Sequence, residues 1–426
     1  MDWNLAIVAL SLLGVAAVSS RLYGTSLSPA MVFVAVGLLA GPLALNGLDL
    51  NENSTTIRTL AEATLALVLF SDASRISLSQ LRPEAGVPAR LLGFGLPLTI
   101  GLGAIAAALI FDQMTIGEAL VLAIILAPTD AALGQAVVTD SRIPSRVRQG
   151  LNVESGLNDG ICVPLLFAAV AAADIESGIA GGRSAQALVL EEIGFGLLAG
   201  VAAGLLIASI FIYAGRRDLI TAGWKQVIPA AGAALAYGVA SALGGSGFIA
   251  AFSGGMVFRA ALKRDPEGLN HLTEEVGSVL NGITFLFFGA VLLQPALGEM
   301  DWTVVLYALL SLTLIRMLPV AVAMLGSNAQ LPTVGFLGWF GPRGLATIVF
   351  ALTIVEESQL PQQDVIVLVA YLTVGLSVFA HGISAAPLAN RYARWFERAS
   401  GARPPGMESG AVEVSRPRGS GNATRG

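Results

Sequence analysis

Apolar stretches long enough to cross a membrane recur from one end of the chain to the other. A hydrocarbon core of ~30 Å needs ~20 helical residues. Residues 91–111, 193–212, 304–325 and 365–388 meet that length with at most one formal charge each. Marking these stretches and the shorter or more polar ones between them predicts thirteen spans, at about 4–20, 28–46, 57–72, 88–111, 116–138, 149–173, 186–214, 226–243, 246–262, 272–295, 302–326, 334–356 and 363–388. The eighth and ninth are short and glycine-rich. Connections are brief, so the pattern predicts an all-α membrane protein with no large soluble insert.

The placement of Lys and Arg checks the count. Loops after odd-numbered spans hold Arg21; Arg75, Arg82 and Arg90; Arg142, Arg146 and Arg148; Arg216, Arg217 and Lys225; and Arg259, Lys263 and Arg264. Loops after even-numbered spans hold only Arg58 and Arg183, among acids such as Asp49, Glu52, Asp112, Glu299 and Asp364. The positive-inside rule then puts the N-terminus outside and the C-terminus in the cytoplasm of a multi-pass protein of the cell (inner) membrane. The loop 327–333 breaks the pattern, carrying no charge on a side where cations are expected. Residues 1–396 form the expected transmembrane domain. Residues 397–426, rich in Gly, Pro, Ser and Arg, are expected to be a disordered cytoplasmic tail. The first apolar stretch has no basic flank before it, only Asp2, and is expected to be a retained helix rather than a signal peptide.

Composition agrees. Of 426 residues, 55% are hydrophobic and 12% charged, with a mean hydropathy of +0.75; soluble domains carry roughly 25% charged residues. A lone Cys162 excludes intrachain disulfides and cysteine metal sites, and two histidines are too few for haem or a His-rich cluster. No cofactor and no nucleic-acid partner is expected; the lipid bilayer is.

Against this apolar background, ionisable residues at membrane depth are costly and mark function. The fifth span contains Pro128-Thr129-Asp130 and the twelfth Gly341-Pro342-Arg343-Gly344. Each proline lacks an N–H and releases a carbonyl four residues back, that of Ile124 or of Gly338. In lipid such a break persists only where the released groups find partners or line a cavity. Singly these are ordinary kinks. As a pair, seven spans apart and each beside a charge, they point to a transporter built from inverted repeats, with two discontinuous helices meeting at its site.

The sixth span reads Asn152-Val-Glu-Ser-Gly-Leu-Asn-Asp159, which stacks Ser155 with Asp159 on one face and Glu154 with Asn158 on the next. Asp159, Asp130, the Ser155 hydroxyl and a released carbonyl near Thr129 are hard oxygen donors able to replace the water shell of a small cation. A carboxylate held there needs either a proton or a metal ion, and that competition generates antiport. Alternatively, Asp159 pairs with an arginine. Arg316, deep in the eleventh span, needs an anion, and Glu154 is the best candidate. Arg343 either offsets half-helix ends, offsets the aspartates, or snorkels to the interface. Asp72 either lines the ion's path or pairs with Arg75. His381 reads as a packing residue.

Taken together, Pro128-Thr-Asp130, Glu154-Ser-Gly-Leu-Asn-Asp159, intramembrane Arg316 and Gly341-Pro-Arg-Gly344 resemble the signature set of the monovalent cation:proton antiporters of the Na+/H+ exchanger type, over about residues 5–390. The resemblance implies a homodimer whose subunits each have a dimerisation part and a mobile core with two crossed, unwound helices. It implies Asp159 as the carrier of cation and proton, with Asp130, Thr129 and Ser155 completing coordination, Asn158 tethering the unwound segment, and Glu154 bridging to Arg316. The Asn158-Asp159 pair resembles the electroneutral branch, which exchanges one cation for one proton. The Ala131-Ala132 that follows Asp130 departs from the family pattern, where a proline is common. Transported Na+ (or Li+) and H+ are the expected substrates; K+ or mixed cations are the alternative. An intramembrane aspartyl hydrolase using Asp130 and Asp159 lacks the Gly-x-Gly-Asp loop, and a channel is disfavoured by a site that traps its ion.

Overall fold

A computed structural model describes residues 2–22, 25–42, 44, 55–75, 86–176, 185–262, 269–400 and 406–408. The described residues fold into helices and no strands, because backbone in lipid must satisfy its own polar groups. In chain order they are α1 (Asp2–Leu22), α2 (Pro29–Ala40), α3 (Thr55–Arg75), α4 (Gly86–Ile110), the halves α5a (Ile116–Ile125) and α5b (Gln135–Val138), α6 (Ser145–Glu176), α7 (Ala185–Arg216), α8 (Ala222–Ala242), α9 (Gly247–Ala261), α10 (His271–Gly298), α11 (Trp302–Ala323), the halves α12a (Leu331–Trp339) and α12b (Leu345–Glu357), and α13 (Gln363–Ser400). Seven described helices are long and apolar enough to cross a membrane, α1, α4, α6, α7, α10, α11 and α13, and shorter apolar helices lie between them.

Several bounds differ from expectation for local reasons. The second element stops at Ala40, not near 46, because Gly41 precedes a proline and adopts extended backbone (φ −69, ψ 173). The last helix runs on to Ser400, where Tyr392 stacks on Phe336 at 4.3 Å between ring centres. The first four residues assigned to the tail are therefore helical. Apart from 406–408 the rest of that tail lies outside the described residues, as do Asp49, Glu52, Arg82, Arg183, Lys263 and Arg264.

The helices pack as two groups. In one, α7 and α8 lie on α9, α9 on α3, and α3 and α2 on α10; in the other, α4 lies on α5a, α5a on α6, and α11 and α12b on α13. The groups meet where α6 touches α7, α3 and α9, where α12b touches α3, and where α13 touches α2 and α10.

The uncharged loop 327–333 borrows its polar partners. Arg90 donates to the carbonyls of Ala323 and Leu325, at 3.1 and 2.7 Å, closing the C-terminal end of α11. Glu408, 3% exposed, accepts from the Gln330 N–H (3.0 Å) and the Thr333 hydroxyl, so a tail carboxylate closes the start of α12a. Beside it Met407 is buried among Val87, Phe336 and Tyr392, and Arg146 donates to its carbonyl. Nearby, partial burial alone would raise the Asp140 carboxyl, but bonds and charge from Arg142 outweigh it and hold the group below its ordinary value. Glu408→Ala removes two hydrogen bonds worth about 1 kcal/mol each, so amide exchange at residues 330–334 should accelerate on the order of thirtyfold. Unchanged exchange there would mean the tail contact contributes nothing to the closure of α12a.

Candidate functional site

The site is built around the two broken helices. α5a starts at a capping box in which Thr115 and Glu118 bond each other's backbone, and Glu118 also accepts from the Gln362 N–H at 2.8 Å, tying α5a to the start of α13. The helix ends at Ile125, and residues 126–134 run as turns and extended chain to α5b.

The carbonyls left at that end nearly all have partners. Ile124, which Pro128 cannot serve, is taken by the N–H of Ala127 at 3.2 Å. Ile125 accepts from the Thr347 hydroxyl (2.9 Å), Ala127 and Pro128 from the Arg343 guanidinium (2.8 and 3.2 Å), and Thr129 from the Ser155 hydroxyl (2.6 Å). Arg343, fully buried, therefore sits at the negative C-terminal end of α5a. Asp130 sits at the positive N-terminal end of α12b: one carboxylate oxygen accepts from the Leu345 N–H (3.3 Å), the other from the Ala132 N–H (2.8 Å), and its own N–H donates to the Pro342 carbonyl (2.7 Å). Each break thus sends a charged side chain to the helix end of the other. The glycines of Gly341-Pro-Arg-Gly344 make this possible. A Cβ at Gly344 would overlap the Asp130 carboxylate, and one at Gly341 the Arg316 guanidinium.

α6 supplies the third wall. The Ser155 hydroxyl accepts from the Ala131 N–H (2.8 Å) while donating to Thr129, and the Asn158 amide donates to the Thr129 hydroxyl (2.8 Å). Asp159, 8% exposed, follows Ser155 by one turn on the same face. Asp72, 9% exposed, lies on α3 against Gly156, one residue from Ser155, while Arg75 pairs with Glu274. A small cavity runs along Thr129, Asp130, Ala131, Ser155 and Pro342. The structure thus brings Asp130, Thr129, Ser155 and Asn158 together, with Asp159 one turn along from Ser155 on α6 and Asp72 against Gly156 of the same helix; Asp159 and Asp72 do not line the cavity. Among the described residues no three of His, Cys, Asp and Glu cluster closely enough to hold a metal ion by themselves. The donors are acids, hydroxyls and a carbonyl, the set that suits a hard cation.

Glu154, one turn before Asn158 on the same face, holds Arg316 through two bonds, one of 2.8 Å, with both side chains 2% exposed. Arg316 reaches it because α11 kinks at Thr313, whose backbone (φ −114, ψ −94) leaves the helical region, three residues before the arginine.

Sequence reasoning passed over Thr347, Ser377 and the role of His381. The Ser377 hydroxyl accepts from the Arg343 N–H at 2.7 Å. His381, 1% exposed, lies between Ser377 and the Trp339 carbonyl, 2.9 Å from the latter, and spans the α12 break. Hydroxyls are common in apolar helices and give no signal that these particular ones serve a break.

An all-helical multi-pass membrane protein, with two broken helices joined end to end by opposite charges, is the class this architecture defines. The chain belongs to the family described as sodium/hydrogen exchanger, transmembrane, whose profile matches residues 7–391. It is 25% identical over 369 residues to a K(+)/H(+) antiporter NhaP2 of Shewanella oneidensis, covering 83% of this chain and 61% of that protein. It is also 25% identical over 256 residues to a Na(+)/H(+) antiporter of Schizosaccharomyces pombe, 57% of this chain and 54% of that one. The chain thus spans about three fifths or less of the length of these two relatives. Its fold matches that of the sodium proton antiporter MjNhaP1 from Methanocaldococcus jannaschii with a TM-score of 0.72 at 17% identity, covering 89% of this chain and 98% of that one.

Removing one partner of a buried ion pair strands the other, at a cost of roughly 3–5 kcal/mol. Glu154→Gln should therefore lower the melting temperature of detergent-solubilised protein clearly. Melting unchanged from wild type would remove the pair from the stabilising contacts.

Proposed function

We propose that the chain exchanges a monovalent cation, Na+ or Li+, for H+ across the cell membrane, one for one, with both competing for Asp159. The single observation that supports this most is the position of Asp159: buried, one turn from a serine that bonds the broken segment, on the seam between two helix groups. Burying a carboxylate in such surroundings is costly, and a bound proton or metal ion offsets that cost. Because one binding place serves both, each conformational change carries one or the other.

In this reading Asp159, the Ser155 hydroxyl and the backbone or side-chain oxygens of Thr129 hold the cation. Asp130 contributes lone pairs left over from its two backbone bonds, and Asn158 fixes Thr129. Asp72 lines the approach, Arg343 compensates the broken ends, and Glu154 with Arg316 is structural. The protein works as a homodimer in the inner membrane, N-terminus outside and C-terminus cytoplasmic, in pH homeostasis. A second reading, K+ in place of Na+, draws support from the name of the Shewanella relative, and hard oxygen ligands alone do not fix cation size.

In everted vesicles holding a pH gradient, adding the transported cation should dissipate the gradient, and trials with Na+, Li+ and K+ separate the two readings. Asp159→Asn should abolish the response while the protein still folds and inserts. Exchange by that variant at the wild-type rate would refute the assignment of the carrier.

A further inference from the structure

A second cavity, of about 70 Å³, lies on the seam between the helix groups, beside the turns that follow Asp130. Ala131 and Ala132 of the broken segment form one side, and Ser71 of α3 with Thr273 and Asn281 of α10 form the other. It adjoins the cavity along Asp130 and Ser155, since Ala131 and Val138 line both.

The α10 wall has a simple design. Thr273, Gly277 and Asn281 recur every four residues and so share one helix face. The missing side chain at Gly277 leaves a hollow between two polar neighbours, and its nearest facing atom is a methyl of Val68. Three oxygens around this hollow, the hydroxyls of Ser71 and Thr273 and the amide oxygen of Asn281, are buried without a hydrogen-bond partner. Ser71 is 4% and Thr273 1% exposed. Polar atoms so deeply buried are ordinarily bonded. Three orphans around one hollow mark a place that receives a ligand. At its rim Glu274 is held by Arg75, so the approach carries little net charge.

We propose that Ser71, Thr273 and Asn281 form a staging site for a partly hydrated monovalent cation on its way to Asp159. This rests on the antiport reading above and adds a binding place that the exchanger motifs do not contain. Neutral oxygens replace some of the cation's waters but bind it weakly, as a transit station requires, since an ion held too firmly would not move on. The space admits an ion that keeps part of its shell. The site lies on the face bearing Arg75, Arg146 and Arg148, read as cytoplasmic, so it sets the concentration of cation that fills the carrier from that side.

Initial exchange rates in everted vesicles, measured against Na+ and K+ concentration at one pH, test this. The double variant Thr273→Val, Asn281→Leu removes two ligands while keeping shape, and should raise the apparent KM about tenfold with a maximal rate close to wild type. Gly277→Ala fills the hollow without a backbone clash and should raise KM in the same direction. An unchanged KM in both, or a lower maximal rate at unchanged KM, would make these side chains a water-lined or packing surface and overturn the proposal while wild-type exchange stands. No exchange by wild type with any alkali cation would instead overturn the antiport reading, and the staging site with it.

Discussion

A helix broken inside lipid leaves amides and carbonyls that no solvent will bond, and the arrangement of this protein follows from how they are satisfied. Two breaks are placed so that each answers the other. The carbonyl end of α5a receives Arg343 from the α12 break, and the amide end of α12b receives Asp130 from the α5 break. Neither solution works alone. An arginine fully buried needs acceptors, and released carbonyls need donors; the same geometry supplies both. The two glycines flanking Pro342 and Arg343 then follow as clearance for the side chains that pass them.

This exchange of charges divides the labour among the buried acids. Asp130 spends one bond from each carboxylate oxygen on backbone N–H groups, so its position is fixed by the α12b terminus it faces. Glu154 is neutralised by a two-bond arginine partner. Asp159 lies inside a continuous helix, away from any helix end and one turn along from Ser155. Near it Ser155 and Thr129 are fixed by their own bonds.

What the sequence revealed follows from the cost of charge in lipid. Asp130, Asp159, Glu154, Arg316 and Arg343 stood out because so few ionisable residues interrupt the apolar stretches, and Pro128 and Pro342 marked the breaks because proline cannot continue a helix. Periodicity says which residues share a face but not which backbone group a side chain will reach. The bond from Asp130 to Leu345, the hydroxyls of Thr347 and Ser377, and the pick-up of the Ile124 carbonyl by Ala127 were for that reason illegible. The contact of Met407 and Glu408 with the start of α12a was hidden by composition: a stretch rich in Gly, Pro and Ser reads as tail, and a single buried glutamate within it gives no periodic signal.

The two ends of the seam between the helix groups are closed by different chemistry. At one end Arg58 of α3 pairs with Glu62 on its own helix and with Glu356 at the end of α12b, and Tyr237 of α8 donates to Glu62 at 2.9 Å. These charges join the groups directly. At the other end Arg75 is satisfied within its own group by Glu274, and a cavity lies between α3 with α10 and the α5 break. The seam is therefore bridged by charges beside Glu356 and lined by a cavity beside Glu274. With Glu356 55% and Arg58 26% exposed at their side chains, the joining pair is a partly solvated one, of a kind worth roughly 0–1 kcal/mol. That pair adds little to holding the groups together; the packing of α6 against α7, α3 and α9 joins them over a longer stretch, while the buried Glu154–Arg316 pair and the bonds between the two breaks hold the site within one group.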